Sequence, residues 1–451
     1  MKTPLPRAAE NMPQLPDSNP IPTTGMPVSD DIAENELNSS RMPGIRSLYF
    51  LLLTLSALVI TFAAHAFPPR LDGTMMPYDF SQSDTVVPWG DDMEPVFINY
   101  VARHGARFLS SEKKVDELLK TLRKAESEGL LTRKGKDFLC LVERVDSVTG
   151  SEWGALNAIG IMEEKRLGNE MAATAPALLQ SGRVEAIATY VPRVVMTMYE
   201  LCHQLAIHSS HLEIYTSEGR QFSTLLRYFT TDKPYVEYLA DGPWKFAFDN
   251  FSRNTLPVSP AASMMEGLTD SKRLQKLSRD AYGVLQSLRA AGIDAQPDEW
   301  FSEEEYRKCW EVENLRHYYQ RSASSFSDLP ARCAAPILQD IILKTDQALK
   351  GGDNLKAFLR FGHAETVIPL FALMRLPGCY APLCNPEDVS ASWKDYEVAP
   401  LGANLMVVCL KDSGGTAYAS VRLNGRWIAI DGKKVIEWTR LRDLWQSYIN
   451  A

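Results

Sequence analysis

Apolar positions along this chain switch between a period of two and a helical period, and the switches mark its elements. Residues 95–101 are dense in β-branched and aromatic side chains and predict a buried strand. Beyond it Val115, Leu118, Leu119 and Leu122 recur at helical spacing, with Ser111 as cap and Gly129 as stop. A second helix is expected over 153–173, a second buried strand over 184–190 and a third helix over 194–207. From about residue 220 to 330 the alternation breaks. There Leu274, Leu277, Ala281, Leu285 and Leu288 fall on one helical face and Ser302 stands three residues before Glu305, the form of a capping box, so this region reads as a mostly helical insertion. The strand-helix pattern resumes with a helix over 337–350, closed by Gly351, and a strand over 355–361. Apolar runs at 405–410, 417–423 and 427–430 follow, the last two joined across Asn424-Gly425, a strong hairpin signal.

The pattern therefore predicts an α/β core interrupted by helices. Four segments are expected: an N-terminal extension over 1–66, the first part of the core over 67–219, a helical cap over 220–335 and the second part of the core over 336–451. With 451 residues, 45% hydrophobic and 23% charged, the composition is that of an ordinary globular protein able to bury a sizeable core. The net charge of -8 argues against nucleic acid as a partner, because duplex binding needs a broad basic face to displace counterions. It does not exclude a small anionic substrate, since a local ring of arginines sets the field of its own site.

The longest apolar run covers residues 48–64 and is followed by Ala64-His65-Ala66, which has the small-x-small form of a signal-peptidase site. The stretch before it is polar, Pro-rich and partly acidic. A start at Met42 would leave a short basic lead of the usual kind and make residues 1–66 a disordered extension plus signal peptide. Cleavage after Ala66 predicts a secreted or periplasmic protein; the other reading is an uncleaved membrane anchor, for which the run is at the low edge of length. Seven cysteines are too few for a disulfide scaffold. Cys379 and Cys384 leave two readings open, a local loop disulfide or a pair of buried thiols.

The candidate chemistry lies at strand ends. In Arg103-His104-Gly105-Ala106-Arg107, two guanidiniums flank an imidazole directly after the first strand, and Gly105 would let the backbone approach a ligand. Guanidinium is the planar fork that matches phosphate oxygens, and neighbouring positive charge keeps an imidazole neutral and nucleophilic. Arg193 after the second strand adds a third guanidinium, and His363 after the later strand a further donor. Glu365 is the candidate acid that protonates a leaving alcohol. Phosphoryl transfer depends on positioning and on neutralising the equatorial oxygens, so three arginines can do the work of metal ions, and neither metal nor cofactor is expected. Lys113 and Lys114 could reach the rim of such a pocket, and His203, His208 and His211 cluster near the end of the third helix without a recognised ligand spacing.

These residues resemble the histidine acid phosphatase family, branch two of the histidine phosphatases. The match is carried by Arg103, His104, Gly105 and Arg107, by Leu156-Asn157-Ala158-Ile159-Gly160 with Leu167-Gly168, and by Arg193 with Thr197; Phe108 departs from it where most members carry proline. His363-Ala364-Glu365 stands where most members have His-Asp, and is similar to the multiple inositol polyphosphate phosphatases, which include phytases. The resemblance implies a three-layer α/β sandwich with a mainly parallel sheet and a helical cap. It also implies His104 as nucleophile, Glu365 as proton donor, and Arg103, Arg107, Arg193 and His363 as phosphate binders. The expected substrate is an inositol polyphosphate. The rivals are a broad-specificity acid phosphatase, a mutase that returns the phosphoryl group, and an inactive phosphate-binding relative.

Overall fold

The computed structural model describes residues 67–352 and 354–451. The start at Met42, the apolar run 48–64 and the cleavage after Ala66 lie outside the described residues. Among those described, no helix is long and apolar enough to cross a membrane.

Eight strands form one sheet: β1 (Met93–Arg103), β2 (Gly182–Ala188), β3 (Leu212–Glu218), β4 (Leu355–Gly362), β5 (Asn404–Asp412), β6 (Ala417–Leu423), β7 (Arg426–Ile428) and β8 (Val435–Glu437). Their order is β3-β2-β4-β1-β5-β6-β7, with β8 also on β6. The pairs β3-β2, β2-β4 and β4-β1 are parallel, whereas β5 to β8 pair antiparallel. The sheet is thus mixed where a mainly parallel one was expected. Parallel neighbours need long crossovers, which helices supply before β5, while β5, β6 and β7 are joined by turns of a few residues that can only reverse the chain. The Asn424-Gly425 turn is one of these, with φ of 45° and 83° at its two residues, values that favour asparagine and glycine.

Side chains of β1 alternate between two cores. Ile98, Tyr100 and Ala102 pack against α3 (Ala158–Thr174) and α4 (Pro192–His208), through Leu167, Met171, Met198 and Leu201. Phe97 and Val101 face α7 (Ala335–Lys350), α8 (Ala364–Leu373) and α9 (Trp438–Asn450), giving three layers. A third core has no strand in it. It joins α1 (Glu112–Ser127) and α2 (Arg133–Thr149), which follow β1, to α5 (Ser271–Leu285) and α6 (Glu303–Arg321), which follow β3; Leu122, Phe138, Leu277, Tyr282 and Tyr306 meet there. The helical layer over the site therefore draws on both connections.

Local signals hold in detail. Ser111 caps α1, and Ser302 with Glu305 closes a full capping box on α6. The helix expected from residue 153 begins instead at Ala158, because the Asn157 side chain accepts from the Ile159 and Gly160 amides. The preceding residues turn back on the arginine-histidine loop, where Phe108 N–H donates to Ala155 O. Proline, which has no N–H, could not make that bond. Leu288 lies beyond the end of α5, although it joins the same core. All seven cysteines are free thiols, with Cys379 buried and Cys384 exposed, so the disulfide reading is not met.

Candidate active site

The register of the parallel block builds the site. Arg103 stands opposite Gly362, and Ala188 opposite Phe361, so the carboxyl ends of β1, β2 and β4 finish at one level. The residues that follow each strand, His104, Thr189 and His363, emerge side by side where ligands collect in α/β sheets. His104 N–H donates to Gly362 O and Thr189 N–H to Phe361 O, tying the three ends together. Arg193 enters from the first turn of α4 and Glu365 from the first turn of α8.

Arg103, His104, Arg107, Arg193, His363 and Glu365 all line one cavity of about 900 Å³. The six positions expected from sequence are brought together. His104 Nδ1 lies 3.0 Å from the Gly105 carbonyl, to which it donates, leaving Nε2 as the lone-pair nitrogen. Burial is the main force holding this imidazole well below its ordinary pKa, with Arg103, Arg193, Arg107 and His363 adding to it. The charges foreseen from sequence act, but desolvation acts more. Arg103 is itself buried and anchored, donating from one Nη to Thr74 O at 2.6 Å and Ala399 O at 2.7 Å. Burial and the crowding of guanidiniums lower Arg103 to about 9 and Arg107 to about 10, so both stay charged in acidic and neutral media.

Gly105 also has a packing role. A Cβ there would lie 3.0 Å from Gly160 O and 3.1 Å from Glu164 Oε1, so the missing side chain lets the loop sit closely on α3. Gly160 answers it from below, since a Cβ there would come within 2.2 Å of Ala106 O. Thr197 Oγ1 accepts from Gly105 N–H and donates to Arg193 O, linking the loop to α4.

Several functional positions carried no local motif. Arg321, the last residue of α6, donates to Glu365 Oε1 at 2.7 Å. Burial raises the Glu365 pKa, but the charge of Arg321, with a backbone N–H and Arg103, outweighs it and holds the carboxyl down at about 2. Its side chain is 35% exposed, and the opening is the cavity itself. Arg227, in the helical segment after β3, donates to His363 Nε2 at 3.2 Å, and Thr189 Oγ1 lies at the same distance from that nitrogen. Burial, then Arg193, Arg227 and Arg103, lower His363 to about 3 against the pull of Glu365, so it is neutral. Glu163 accepts from the Ala106 and Tyr78 amides at 2.7 and 2.8 Å and holds the loop from behind, with its pKa raised by burial to about 7. The only hints of these roles in the chain were the helical faces that carry them.

Away from the strand ends the cavity runs between α1, α5 and α6. Its lining holds nine lysine or arginine side chains and three carboxylates. Lys114 belongs to it; Lys113 faces solvent beside Glu117. Among the described residues no group of three or more His, Cys, Asp or Glu side chains is placed to hold a metal ion, the histidines of α4 included.

Residues 235–424 match the model of the histidine phosphatase superfamily (branch 2), a span that contains His363 and Glu365. In fold the chain is similar to the multiple inositol polyphosphate phosphatase of Bifidobacterium longum in complex with inositol hexasulfate, with 14% identity, 83% of this chain and 97% of that chain covered and a TM-score of 0.71. The same enzyme in complex with phosphate aligns at 13% identity over 84% and 98% of the two chains, with a TM-score of 0.72. The phytase from D. castellii aligns at 14% identity over 84% and 85%, with a TM-score of 0.66. The family model and the fold meet the resemblance read from the motifs.

Proposed function

We propose that this chain, with its branch 2 histidine phosphatase fold, is a phosphoric monoester hydrolase that acts on inositol polyphosphates through a phosphohistidine on His104. The observation that carries the reading is one cavity holding a neutral imidazole, the guanidiniums of Arg103, Arg107 and Arg193, and a carboxyl group on Glu365. His104 Nε2 attacks phosphorus in line, the P–O bond to the alcohol breaks, and the arginines take the charge of the equatorial oxygens. His363, held through Nε2 by Arg227 and Thr189, stands in the same cavity as a further phosphate-binding position.

Glu365 delivers a proton to the departing oxygen and afterwards takes one from the water that attacks the phosphohistidine. The surrounding arginines hold its carboxyl down at about 2. A phosphate dianion lodged among the same arginines cancels their field, and a monoanionic ester brings its own proton, so the acid form arises on binding. The cationic lining beyond the strand ends favours a substrate with several phosphates over a simple ester. That the structural neighbours include a multiple inositol polyphosphate phosphatase and a phytase supports the same choice.

The deciding experiment is acid-quench trapping of labelled phosphate on the protein. Label on His104, absent from His104→Ala, is expected; turnover without any covalent phosphate would reject the mechanism. Comparable efficiency on inositol hexakisphosphate and on aryl phosphates would instead favour a broad-specificity acid phosphatase. Residues 220–335 are proposed as the cap of this enzyme. Export by a cleaved signal peptide is proposed from the apolar run and Ala64-His65-Ala66. Sequencing the mature N-terminus tests it, with a start at Phe67 expected and a retained Met1 refuting it.

A further inference from the structure

The lining of the cavity includes a second histidine, paired to a carboxylate behind it, that the phosphoryl-transfer steps leave idle. His317 lies on α6, four residues before Arg321, so its side chain is on the same helical face about 6 Å nearer the cap. Its Nδ1 is 2.8 Å from Asp395 Oδ2, and Arg316 donates to its Nε2 at 3.2 Å. His317 is 8% exposed and lines the cavity beside Arg316, with Arg279 of α5 opposite. Asp395 behind it is fully buried and also accepts from Trp310 Nε1 at 3.0 Å, while its amide donates to Asn314.

Trp310 and Asn314 already join α6 to the segment around Asp395, so the imidazole is not the only tie between them; it is the donor to Asp395 Oδ2 and it also opens onto the cavity. An imidazole tethered through Nδ1 to a buried carboxylate has its ring fixed and its Nε2 presented, the arrangement that lets a histidine gain and hold a proton.

We infer that His317 and Arg316, backed by Asp395, form a subsite for a non-reacting phosphate of a polyphosphorylated substrate, one helical turn from Arg321. The inference rests on the phosphate-ester reading of the same cavity. Today the imidazole is neutral, because burial and the positive charges of Arg321, Arg316, Arg103 and Arg279 oppose its protonation while Asp395 favours it. Glu313, the nearby carboxylate of α6, is committed to Arg279 and Arg316. A phosphate entering here reverses the local field. Its oxygen takes the N–H that Arg316 now gives to Nε2, and the ring, taking a proton from solvent at Nε2, donates to the same oxygen.

The test is a binding measurement with inositol hexasulfate and with inorganic phosphate, by calorimetry, on the whole chain and on His317→Gln and Arg316→Gln. Glutamine keeps a donor toward Asp395 but cannot carry charge, and the Arg316 variant leaves the buried pair in place should the first fail to fold. The hexasulfate Kd is expected to rise about tenfold in each, with the phosphate Kd changed by less than about twofold. Unchanged hexasulfate affinity, or a parallel loss for both ligands, would overturn the subsite. Because the readout is binding, it is separate from the phosphohistidine mechanism, whose failure would appear in the trapping experiment on the wild-type protein.

Discussion

Arg321 at the end of α6 and Glu365 at the start of α8 form an ion pair of 2.7 Å in the lining of the cavity. It joins the helical layer to the catalytic strand ends through the one carboxyl group proposed to move a proton.

Arg321→Met should therefore change the pH profile as well as affinity. Without the guanidinium, Glu365 loses the largest charge that depresses its pKa and titrates at higher pH. The alkaline limb of kcat/KM is expected to move upward, together with a raised KM for inositol hexakisphosphate. An unshifted profile would remove Arg321 from control of the acid.

Glu365→Gln should slow alkyl phosphates by about a hundredfold and aryl phosphates much less, since phenolates leave with little protonation. His104→Ala should lower kcat on both by about a thousandfold or more. Parallel slowing of the two ester classes in the glutamine variant would argue against Glu365 as the acid.

Gly160→Ala inserts a methyl group where Ala106 O lies 2.2 Å and Leu156 Cδ1 2.6 Å from the ideal Cβ position. Backbone on the loop side cannot yield without moving the nucleophile. A loss of about 1–3 kcal/mol in chemical denaturation is expected, with a fall in kcat. Wild-type stability and turnover in this variant would show that the loop and α3 are not packed as described.

The buried acids add a component to stability that is greatest in mildly acidic medium. Burial raises Asp72 and Asp395 to about 6 and Glu163 to about 7, so the folded protein binds these protons more tightly than the unfolded chain. Stabilisation of that sign is complete below the ordinary carboxyl range and is lost as pH rises through about 6 to 7. Glu365 has the opposite shift and matters only as pH falls toward about 2. The imidazoles of His104, His317 and His363, held below their ordinary pKa, act in the opposite sense up to about pH 6.5. The readout is therefore the difference between variants: the stability of Glu163→Gln relative to the wild type should rise between pH 5 and 8, and a constant difference would contradict a buried acid at that position.

Removal of Asp340 tests the core beneath the site. Arg360 of β4 is fully buried, paired to Asp340 Oδ2 at 2.6 Å and bonded to Asn99 at 2.8 Å. Asp340→Ala leaves a buried guanidinium without its counter-charge and should cost about 3 kcal/mol in denaturant unfolding. A loss below about 1 kcal/mol would mean that Asn99 and the backbone carbonyl suffice.

Residues 95–107, 193 and 363–365 were legible because strand, turn and chemistry lie within a few positions of one another. A strand must end before its ligand-binding turn, so hydrophobic period and motif reinforce each other. The same locality made the caps at Ser111 and Ser302 and the Asn424-Gly425 hairpin readable. What lay within one turn of chain was determined by the residues themselves.

Arg321, Arg227, Glu163, His317 and Asp395 have no such neighbours in the chain. Arg321 and His317 reach the cavity from α6, whose place depends on how α1, α5 and α6 close over the sheet, and α5 and α6 read only as amphipathic helices; Arg227, Glu163 and Asp395 stand behind the lining, against His363, the loop at Ala106 and His317. The direction of β5 to β8 and the dominance of burial over charge at His104 were likewise settled by packing. Local sequence determined which groups stand at the strand ends, because backbone geometry over a few residues is a short-range matter; which distant groups meet them, and how far water is excluded, only the folded chain could decide, because desolvation and ion pairing depend on everything that closes around the site.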